Sequence, residues 1–214
     1  MTRLPVTPSH RPQLVKLPHP FLSAEENSRV CVFVKDPQRA FKDQIASLDI
    51  PTIAKVIGYD KLKRNYKQYK DRRALLKEYD SFLADLRVYK MLPEVLGKEF
   101  YSQKKFPVPI KLHGFDESKE LQKQLNDAAS CAQFMQGNGP NYSVTVGKTN
   151  QKPNDVALNA VEALSQALAH LTCFESETLG FESISQVTLK IDKSPELPIF
   201  NWLTPEDVDA YHQA

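Results

Sequence analysis

Five consecutive apolar residues at 30–34 (Val-Cys-Val-Phe-Val) constrain the fold more than any other feature of this sequence. A strand with one wet face alternates apolar and polar residues, whereas an unbroken β-branched run is typical of a parallel strand covered on both faces. The surrounding pattern predicts further strands at 53–57 and 81–84, helices at 36–48 and 60–69, and helical turns at 88–97. Asp36 is expected to be the N-cap of the first helix, with Pro37 at its first position. This alternation predicts a small parallel sheet between helices, an α/β fold.

After residue 107 the pattern changes. It predicts strands at 108–112, 142–147 and 184–191, and helices at 116–135 and 154–171. The longer strands alternate, as strands with one covered face do, so we expect an antiparallel sheet packed against two helices. That sheet needs the short early strand at 14–17 as a member. The sequence therefore predicts a split α+β domain, residues 1–29 with 107–214, that carries an inserted α/β domain at 30–106.

Charge divides along nearly the same boundaries. Residues 29–106 contain 18 Lys and Arg against 10 Asp and Glu, a balance of +8, and the rest of the chain carries −6. A separation this large suggests that one region meets a polyanion and the other does not. The densest stretch, 61–73, sets one acid, Asp71, against seven cations: Lys61, Lys63, Arg64, Lys67, Lys70, Arg72 and Arg73.

A helix over 60–69 would gather several of these cations on one side. At 100° per residue, Lys63, Lys67 and Lys70 lie within about 60° of one another. Three residues form the opposite, core-facing stripe: Leu62, Tyr66 and Tyr69. A one-sided cationic face suits a phosphate backbone, because each neutralised phosphate releases counterions. The alternative is an ordinary solvated helix face.

Three lysines further along the chain are predicted to extend this surface: Lys98, Lys104 and Lys105. Sequence signals for catalysis are sparse, since neither GxGxxG nor GxxxxGK[ST] occurs. The three cysteines form no CxxC pair and the five histidines show no ligand spacing, so we expect no metal and no cofactor. We also expect no small-molecule substrate, and no membrane partner because the apolar runs are too short to span a bilayer.

Several separated motifs resemble the ribosomal protein L1 family, in particular its eukaryotic nucleolar branch of ribosome-biogenesis factors. The motifs are LPHP at 17–20, VFVKDP at 32–37, YDSFLADLRVYKMLPEVLGKEFY at 79–101, KKFPVPI at 104–110 and KSPELPI at 193–199. They occur in order over roughly residues 14–200. The resemblance implies a non-catalytic RNA-binding fold with a split first domain and an inserted Rossmann-like second domain.

The resemblance also implies RNA contacts on the split domain. The positions that match the family's RNA-contacting strand and loops are Lys16, Gly147, Lys148, Lys193, Ser194 and Pro195. Where the ribosomal protein carries Thr-Met-Gly in the C-terminal loop, this chain has Ser194-Pro195-Glu196. Because the split domain is also acidic, we expect RNA contact to shift partly to the basic face of the inserted domain.

The sequence thus predicts a non-catalytic assembly factor that binds precursor ribosomal RNA in the nucleolus, alongside other assembly factors or ribosomal proteins. Two alternatives stay open. One is a mature large-subunit stalk protein. The other is a protein-interaction scaffold within a pre-ribosome, in which acidic residues 116–127 and the aromatic segment 200–202 bind partners.

Overall fold

The computed structural model describes residues 11–21, 28–113, 118–137, 139–171, 184–191 and 194–201. Its strands are β1 (Gln13–Val15), β2 (Val30–Val34), β3 (Ile53–Gly58), β4 (Ser81–Asp85), β5 (Val108–Ile110), β6 (Ala132–Phe134), β7 (Gln186–Leu189) and β8 (Leu197–Asn201). Its helices are α1 (Gln38–Ala46), α2 (Tyr59–Asn65), α3 (Tyr69–Glu78), α4 (Leu86–Tyr89), α5 (Leu92–Leu96), α6 (Lys98–Ser102), α7 (Ser118–Ser130) and α8 (Pro153–His170). The chain divides into two compact units, 11–135 with 144–163, and 1–10 with 136–143 and 164–214.

A four-stranded parallel sheet in the order β3-β2-β4-β5 forms the centre of the larger unit. β2 lies between β3 and β4, and all five of its residues are buried. This confirms the α/β fold and the fully covered strand that the apolar run at 30–34 predicts. The strands at 53–57 and 81–84 and the helical turns at 88–97 are confirmed as well.

Both faces of this sheet are covered, because alternate residues of β2 join different cores. Val30, Val32 and Val34 pack with residues of α1 and α7. Cys31 and Phe33 pack with residues of α2, α3, α5 and α6. An aromatic cluster fills the second core, where the Phe82 ring meets the Phe33 and Phe100 rings at centroid distances of 5.7 and 4.9 Å.

The strand near residue 108 and the helix after it belong to this sheet, not to an antiparallel one. β5 pairs in parallel with β4, and four α7 residues lie in the core beneath the sheet: Leu121, Leu125, Ala128 and Ala129. The prediction that this strand joins an antiparallel sheet was wrong, because three residues that include Pro109 carry no alternation that identifies a partner strand. The predicted boundary at 106/107 therefore passes through the sheet. The two-domain division itself stays a prediction.

Two short strands flank the parallel sheet in the sequence: β1 precedes its first strand, and β6 follows its last strand. β1 pairs antiparallel with β6, with Gln13 opposite Phe134 and Val15 opposite Ala132.

The strand predicted at 142–147 does not form, and part of its backbone is bound by a side chain instead. Asn159, which is fully buried on α8, donates to the carbonyls of Val146 and His19. The helix predicted at 154–171 is confirmed as α8.

The predicted helix cap at Asp36 serves a different helix. Pro37 precedes α1 with no side-chain cap, so the prediction that Asp36 caps α1 was wrong. The Asp36 carboxylate instead accepts from the backbone N–H of Asp60 at 2.8 Å, in the first turn of α2. Gly58 leaves room for this contact, since a Cβ there would lie 2.5 Å from Asp36 Oδ1. Asp36 thus satisfies an N-terminal donor of α2.

The smaller unit contains a hairpin of β7 and β8. Leu189 lies opposite Leu197 and Val187 opposite Phe200, with a register shift between Val187 and Thr188. β7 confirms the core of the strand predicted at 184–191. Its partner β8 was not predicted, because two prolines at 195 and 198 interrupt the strand pattern.

Candidate nucleic-acid interface

The most basic stretch of the chain forms two helices, not one. α2 ends at Asn65, Tyr66 leaves the helical region at φ −116° and ψ 37°, and α3 begins at Tyr69. The predicted continuous helix at 60–69 was therefore wrong. The three lysines expected on one face are divided among the end of α2, the connection and the first turn of α3: Lys63, Lys67 and Lys70.

Arg72 holds this connection in place. Its Nε donates to the carbonyl of Tyr66 and its Nη2 to the carbonyl of Lys67, both at 2.9 Å. These carbonyls lie past the end of α2 and have no helical partner. Gly97, at φ +66°, leaves space for the guanidinium, because a Cβ there would lie 2.8 Å from Arg72 Nη1. The donors of Arg72 that the sequence assigns to RNA are thus largely used inside the fold.

Two further cations of the predicted RNA surface are also tied to the fold. Arg73 forms two hydrogen bonds with Glu99, at 3.0 and 3.1 Å, and these hydrogen bonds lower the pKa of the Glu99 carboxyl. Lys105 Nζ donates to the carbonyls of Leu76 and Tyr79 at the end of α3, at 2.9 and 2.8 Å. Burial lowers the pKa of Lys105. The Glu99 carboxylate balances the charge of Arg73, and the Lys105 ammonium caps the C-terminal end of α3.

The cations that precede Arg72 have a different environment. We call residues 61–70 the basic segment, whose five cations are all exposed: Lys61, Lys63, Arg64, Lys67 and Lys70. Within the part of the chain that the structure describes, none of them forms an ion pair with a carboxylate. Arg64 Nε donates to the carbonyl of Asp60 at 3.4 Å. Lys98 and Lys104 are exposed at the two ends of α6.

Two lysines that the family resemblance implies, Lys16 and Lys148, have local partners. Lys16 Nζ lies 3.6 Å from Asp127 Oδ2 in an exposed ion pair, which contributes little stability. Lys148 is half-buried, and its Nζ lies 3.3 Å from Ser28 Oγ. Gly147 precedes it at a close approach, since a Cβ there would lie 3.0 Å from a methyl of Val156.

The C-terminal loop is only partly described. Ser194 lies between β7 and β8, where its Oγ accepts from the N–H of Ile191 at 3.0 Å and closes the turn. Lys193 and Trp202 lie outside the described residues. The predicted contacts of Lys193 and the predicted partner-binding role of residues 200–202 stay predictions.

A cation–aromatic group that the sequence reasoning missed lies near the amino ends of the parallel strands. The Tyr79 ring has the Arg29 guanidinium 5.1 Å and the Lys55 ammonium 5.7 Å from its centroid. Tyr79 Oη donates to Glu78 Oε1 at 2.7 Å, and burial raises the pKa of Tyr79 to about 12. Glu78 also pairs with Arg29 at 3.4 Å. Two cations against one carboxylate leave this group with a net charge of +1, but both cations contact Tyr79 and Arg29 also pairs with Glu78, so we assign the group to the fold.

Tyr69 is the residue at this surface that the sequence reasoning placed on the wrong side. A continuous helix at 60–69 would turn it toward the core with Leu62 and Tyr66. Because α3 starts anew at Tyr69, that periodicity does not apply, and the side chain is 64% exposed. The Arg72 guanidinium lies 5.4 Å from its ring centroid.

The buried carboxylate at the end of β4 is fully bonded within the fold. Asp85 is fully buried at the end of β4, and it accepts from Arg87 Nε at 2.9 Å, Nη2 at 2.6 Å and the backbone N–H at 3.1 Å. No cluster of three or more His, Cys, Asp or Glu among the described residues could hold a metal ion. No helix in the described ranges has the length and apolar character needed to cross a bilayer.

Comparison with known proteins identifies the family. Residues 2–195 match the Ribosomal protein L1p/L10e family. A Schizosaccharomyces pombe protein named for ribosome biogenesis is 31% identical over 176 residues, which are 82% of this chain and 46% of that protein. The mouse Ribosomal L1 domain-containing protein 1 is 30% identical over 211 residues, 92% of this chain and 43% of that protein. A second S. pombe protein named for ribosome biogenesis is 27% identical over 94% of this chain and 67% of that protein.

The chain thus spans less than half the length of the first two of these relatives. The match extends over nine-tenths of this sequence and includes the whole parallel sheet and the basic segment. The predicted resemblance is confirmed: the chain belongs to the ribosomal protein L1 family, and its relatives include the ribosome-biogenesis branch of that family.

Proposed function

We propose that this chain is the RNA-binding part of a non-catalytic ribosome assembly factor, and that it binds precursor ribosomal RNA in nucleolar pre-ribosomal particles. The names of two relatives refer to ribosome biogenesis, which supports this function over that of a mature stalk protein. Its partners would be precursor RNA together with other assembly factors or ribosomal proteins.

The observation that supports the proposal is that some cations of this region bind groups of the fold, whereas others have no carboxylate partner among the described residues. The basic segment holds five exposed cations without a carboxylate partner in the described residues. The acids that flank this segment in sequence are Asp60 and Asp71, and neither forms an ion pair within the described residues. Unpaired exposed cations neutralise phosphates at little cost, because no existing ion pair must break first. We therefore assign the primary RNA contact to the basic segment.

The split-domain organisation is part of the same proposal. β1 and β6 pair with each other, and all four strands of the parallel sheet lie between them in sequence. An inserted Rossmann-like domain of roughly residues 30–130, rather than 30–106, accounts for this pairing. The family-implied positions Lys16, Lys148 and Ser194 would then make secondary RNA contacts on the split domain.

The proposal is tested in cells with two matched variants. The basic-segment triple is Lys63→Glu, Lys67→Glu and Lys70→Glu, and the control triple is Lys42→Glu, Lys90→Glu and Lys123→Glu. The control changes net charge equally at three exposed lysines elsewhere in the larger unit. Crosslinking and sequencing of attached RNA should show precursor ribosomal RNA for the wild type and the control, with strong loss for the basic-segment triple.

Sedimentation of cell extracts separates the alternatives. An assembly factor follows precursor particles, whereas a stalk protein follows translating ribosomes. A scaffold would remain on precursor particles with little RNA crosslinking in every variant. Sedimentation with translating ribosomes would overturn the proposal. Sedimentation with precursor particles but without RNA crosslinking would also overturn it.

A further inference from the structure

Tyr69 differs from the other aromatic residues around it. Tyr59 and Tyr66 are half-buried and pack against the core of the larger unit, whereas Tyr69 is 64% exposed at the first position of α3. Exposing a large aromatic side chain forgoes a substantial gain from burial. The core of α3 is already supplied by Leu75 and Leu76, so Tyr69 is not needed for packing.

The ring nevertheless has a contact that restrains it. The Arg72 guanidinium lies 5.4 Å from the ring centroid, within the range of a cation–π contact. That guanidinium is itself fixed by the carbonyls of Tyr66 and Lys67 and by the space left at Gly97. An exposed ring that is restrained in this way loses less conformational entropy when a ligand packs against it than a free ring does.

The surroundings of the ring are cationic. Lys67 and Lys70 flank Tyr69 in sequence, and both are exposed. An exposed aromatic ring among cations is the combination that single-stranded nucleic acids bind, with the cations on the phosphates and the ring against a base. A continuous RNA duplex offers phosphates and 2′-hydroxyls but keeps the faces of its bases stacked inside.

We propose that Tyr69 is a stacking platform for an unpaired base, so that the basic segment takes a looped or single-stranded stretch of RNA rather than a continuous duplex. This inference rests on the proposed function, because it names the form of RNA that the same surface binds. Lys67 and Lys70 hold the flanking phosphates, Tyr69 receives the base, and Arg72 is a positioning residue for the ring.

The test uses the complete 214-residue chain and three fluorescein-labelled ligands in anisotropy titrations. They are a 12-nucleotide oligoadenylate, the same length of RNA with abasic sites in its centre, and a 12-base-pair RNA duplex. Tyr69→Ala should weaken binding of the oligoadenylate by roughly 5- to 150-fold, the range for the loss of one base–aromatic stack. Binding of the abasic strand and the duplex should change less than twofold, and the salt dependence should be unchanged.

Two further variants separate stacking from folding and from simple apolar contact. Tyr69→Phe keeps the ring and should retain wild-type affinity for the oligoadenylate. Tyr69→Leu keeps an apolar side chain without a ring and should lose affinity as Tyr69→Ala does. Circular dichroism melting curves should coincide for all of these chains, because the side chain lies outside the core.

The outcomes distinguish this inference from the proposed function. If Tyr69→Ala binds all three ligands as the wild type does, while the basic-segment triple weakens all three, the stacking platform is refuted and the RNA site stands. Equal losses on all three ligands would also refute it. If the basic-segment triple binds every ligand like the control triple, the RNA site itself is refuted. If Tyr69→Ala retains RNA affinity but loses binding to an assembly protein, Tyr69 is a protein contact and the inference fails.

Discussion

The cations of the basic segment and the cations that follow it carry the same charge but have different roles. The five cations of the basic segment are exposed and have no carboxylate partner within the described residues, whereas Arg72, Arg73 and Lys105 bind carbonyls or a carboxylate of the fold itself. Charge density along a sequence therefore locates a basic surface but does not say which cations are available to a ligand. The partners of each cation decide that.

The largest effect is expected where a cation holds the chain itself. Arg72→Ala removes two hydrogen bonds from a charged donor and leaves the carbonyls of Tyr66 and Lys67 without their partner. We expect a loss of about 2–3 kcal/mol in the free energy of unfolding, measured by urea denaturation. Lys70→Ala, in the basic segment, is the matched control, and its free energy of unfolding should stay within about 0.5 kcal/mol of the wild-type value.

Gly97 gives a second way to disturb the same contact. Gly97→Ala places a Cβ 2.8 Å from Arg72 Nη1 at a residue with φ +66°. Backbone strain and displacement of the guanidinium should together cost about 1–3 kcal/mol. If Gly97→Ala and Arg72→Ala are combined, the effects should not add, because both remove the same contact. Full additivity would contradict the structural role of Arg72.

A variant of Lys105 tests whether this cation stabilises the end of α3 rather than binding RNA. Lys105→Met keeps the aliphatic stem but leaves the carbonyls of Leu76 and Tyr79 unpaired. We expect a loss of about 1–2 kcal/mol in the free energy of unfolding and unchanged affinity for RNA. A clear drop in RNA affinity with unchanged stability would place Lys105 among the ligand-binding cations instead.

Stability at high pH depends on Tyr79. Burial and its hydrogen bond to Glu78 raise the pKa of Tyr79 to about 12, above the value near 10 of an unfolded tyrosine. Above pH 10 the unfolded chain releases this proton before the folded chain does, so stability should fall between about pH 10 and pH 12. Tyr79→Phe should flatten that fall only in part, since burial also raises the pKa values of Cys31 and Tyr101 to about 12. Urea melts at several pH values measure the difference.

The smallest effect is expected from releasing a paired cation. Glu99→Gln removes the carboxylate that binds Arg73 and leaves an exposed guanidinium beside the basic segment. RNA affinity should rise by roughly twofold to fivefold, with the salt slope steeper by about one phosphate contact. Glu94→Gln, on α5, removes the same charge without releasing an arginine and serves as the control. Equal effects of the two variants would show that net charge alone matters.

Much of the larger unit could be predicted from the sequence because its signals are local. The apolar run of β2 and the punctuated strands and turns around it indicate a parallel sheet without knowledge of distant contacts. The break between α2 and α3 could not be predicted, since no glycine or proline lies in residues 59–78. It depends on Arg72, whose side chain binds the carbonyls that a continuous helix would have used, and on the space at Gly97. The exposure of Tyr69 follows from that break and was missed with it.

The partner of β5 was missed for a similar reason. Its three residues include Pro109 and carry no periodicity, so only pairing with β4 reveals that the strand belongs to the parallel sheet. Asp36 was recognised as a cap but for the wrong helix, because the N–H groups of α2 approach it only after the sheet has formed. Tertiary contacts decided each of these cases.

The central claim is that the unpaired cations of the basic segment bind the RNA backbone. It is tested by measuring the affinity of the 214-residue chain for a labelled RNA hairpin with a single-stranded loop between 50 and 200 mM KCl. The basic-segment triple should reduce the slope of log affinity against log salt by roughly 2–3, and the control triple should leave it near the wild-type value. Equal slopes for the two triples would contradict the account.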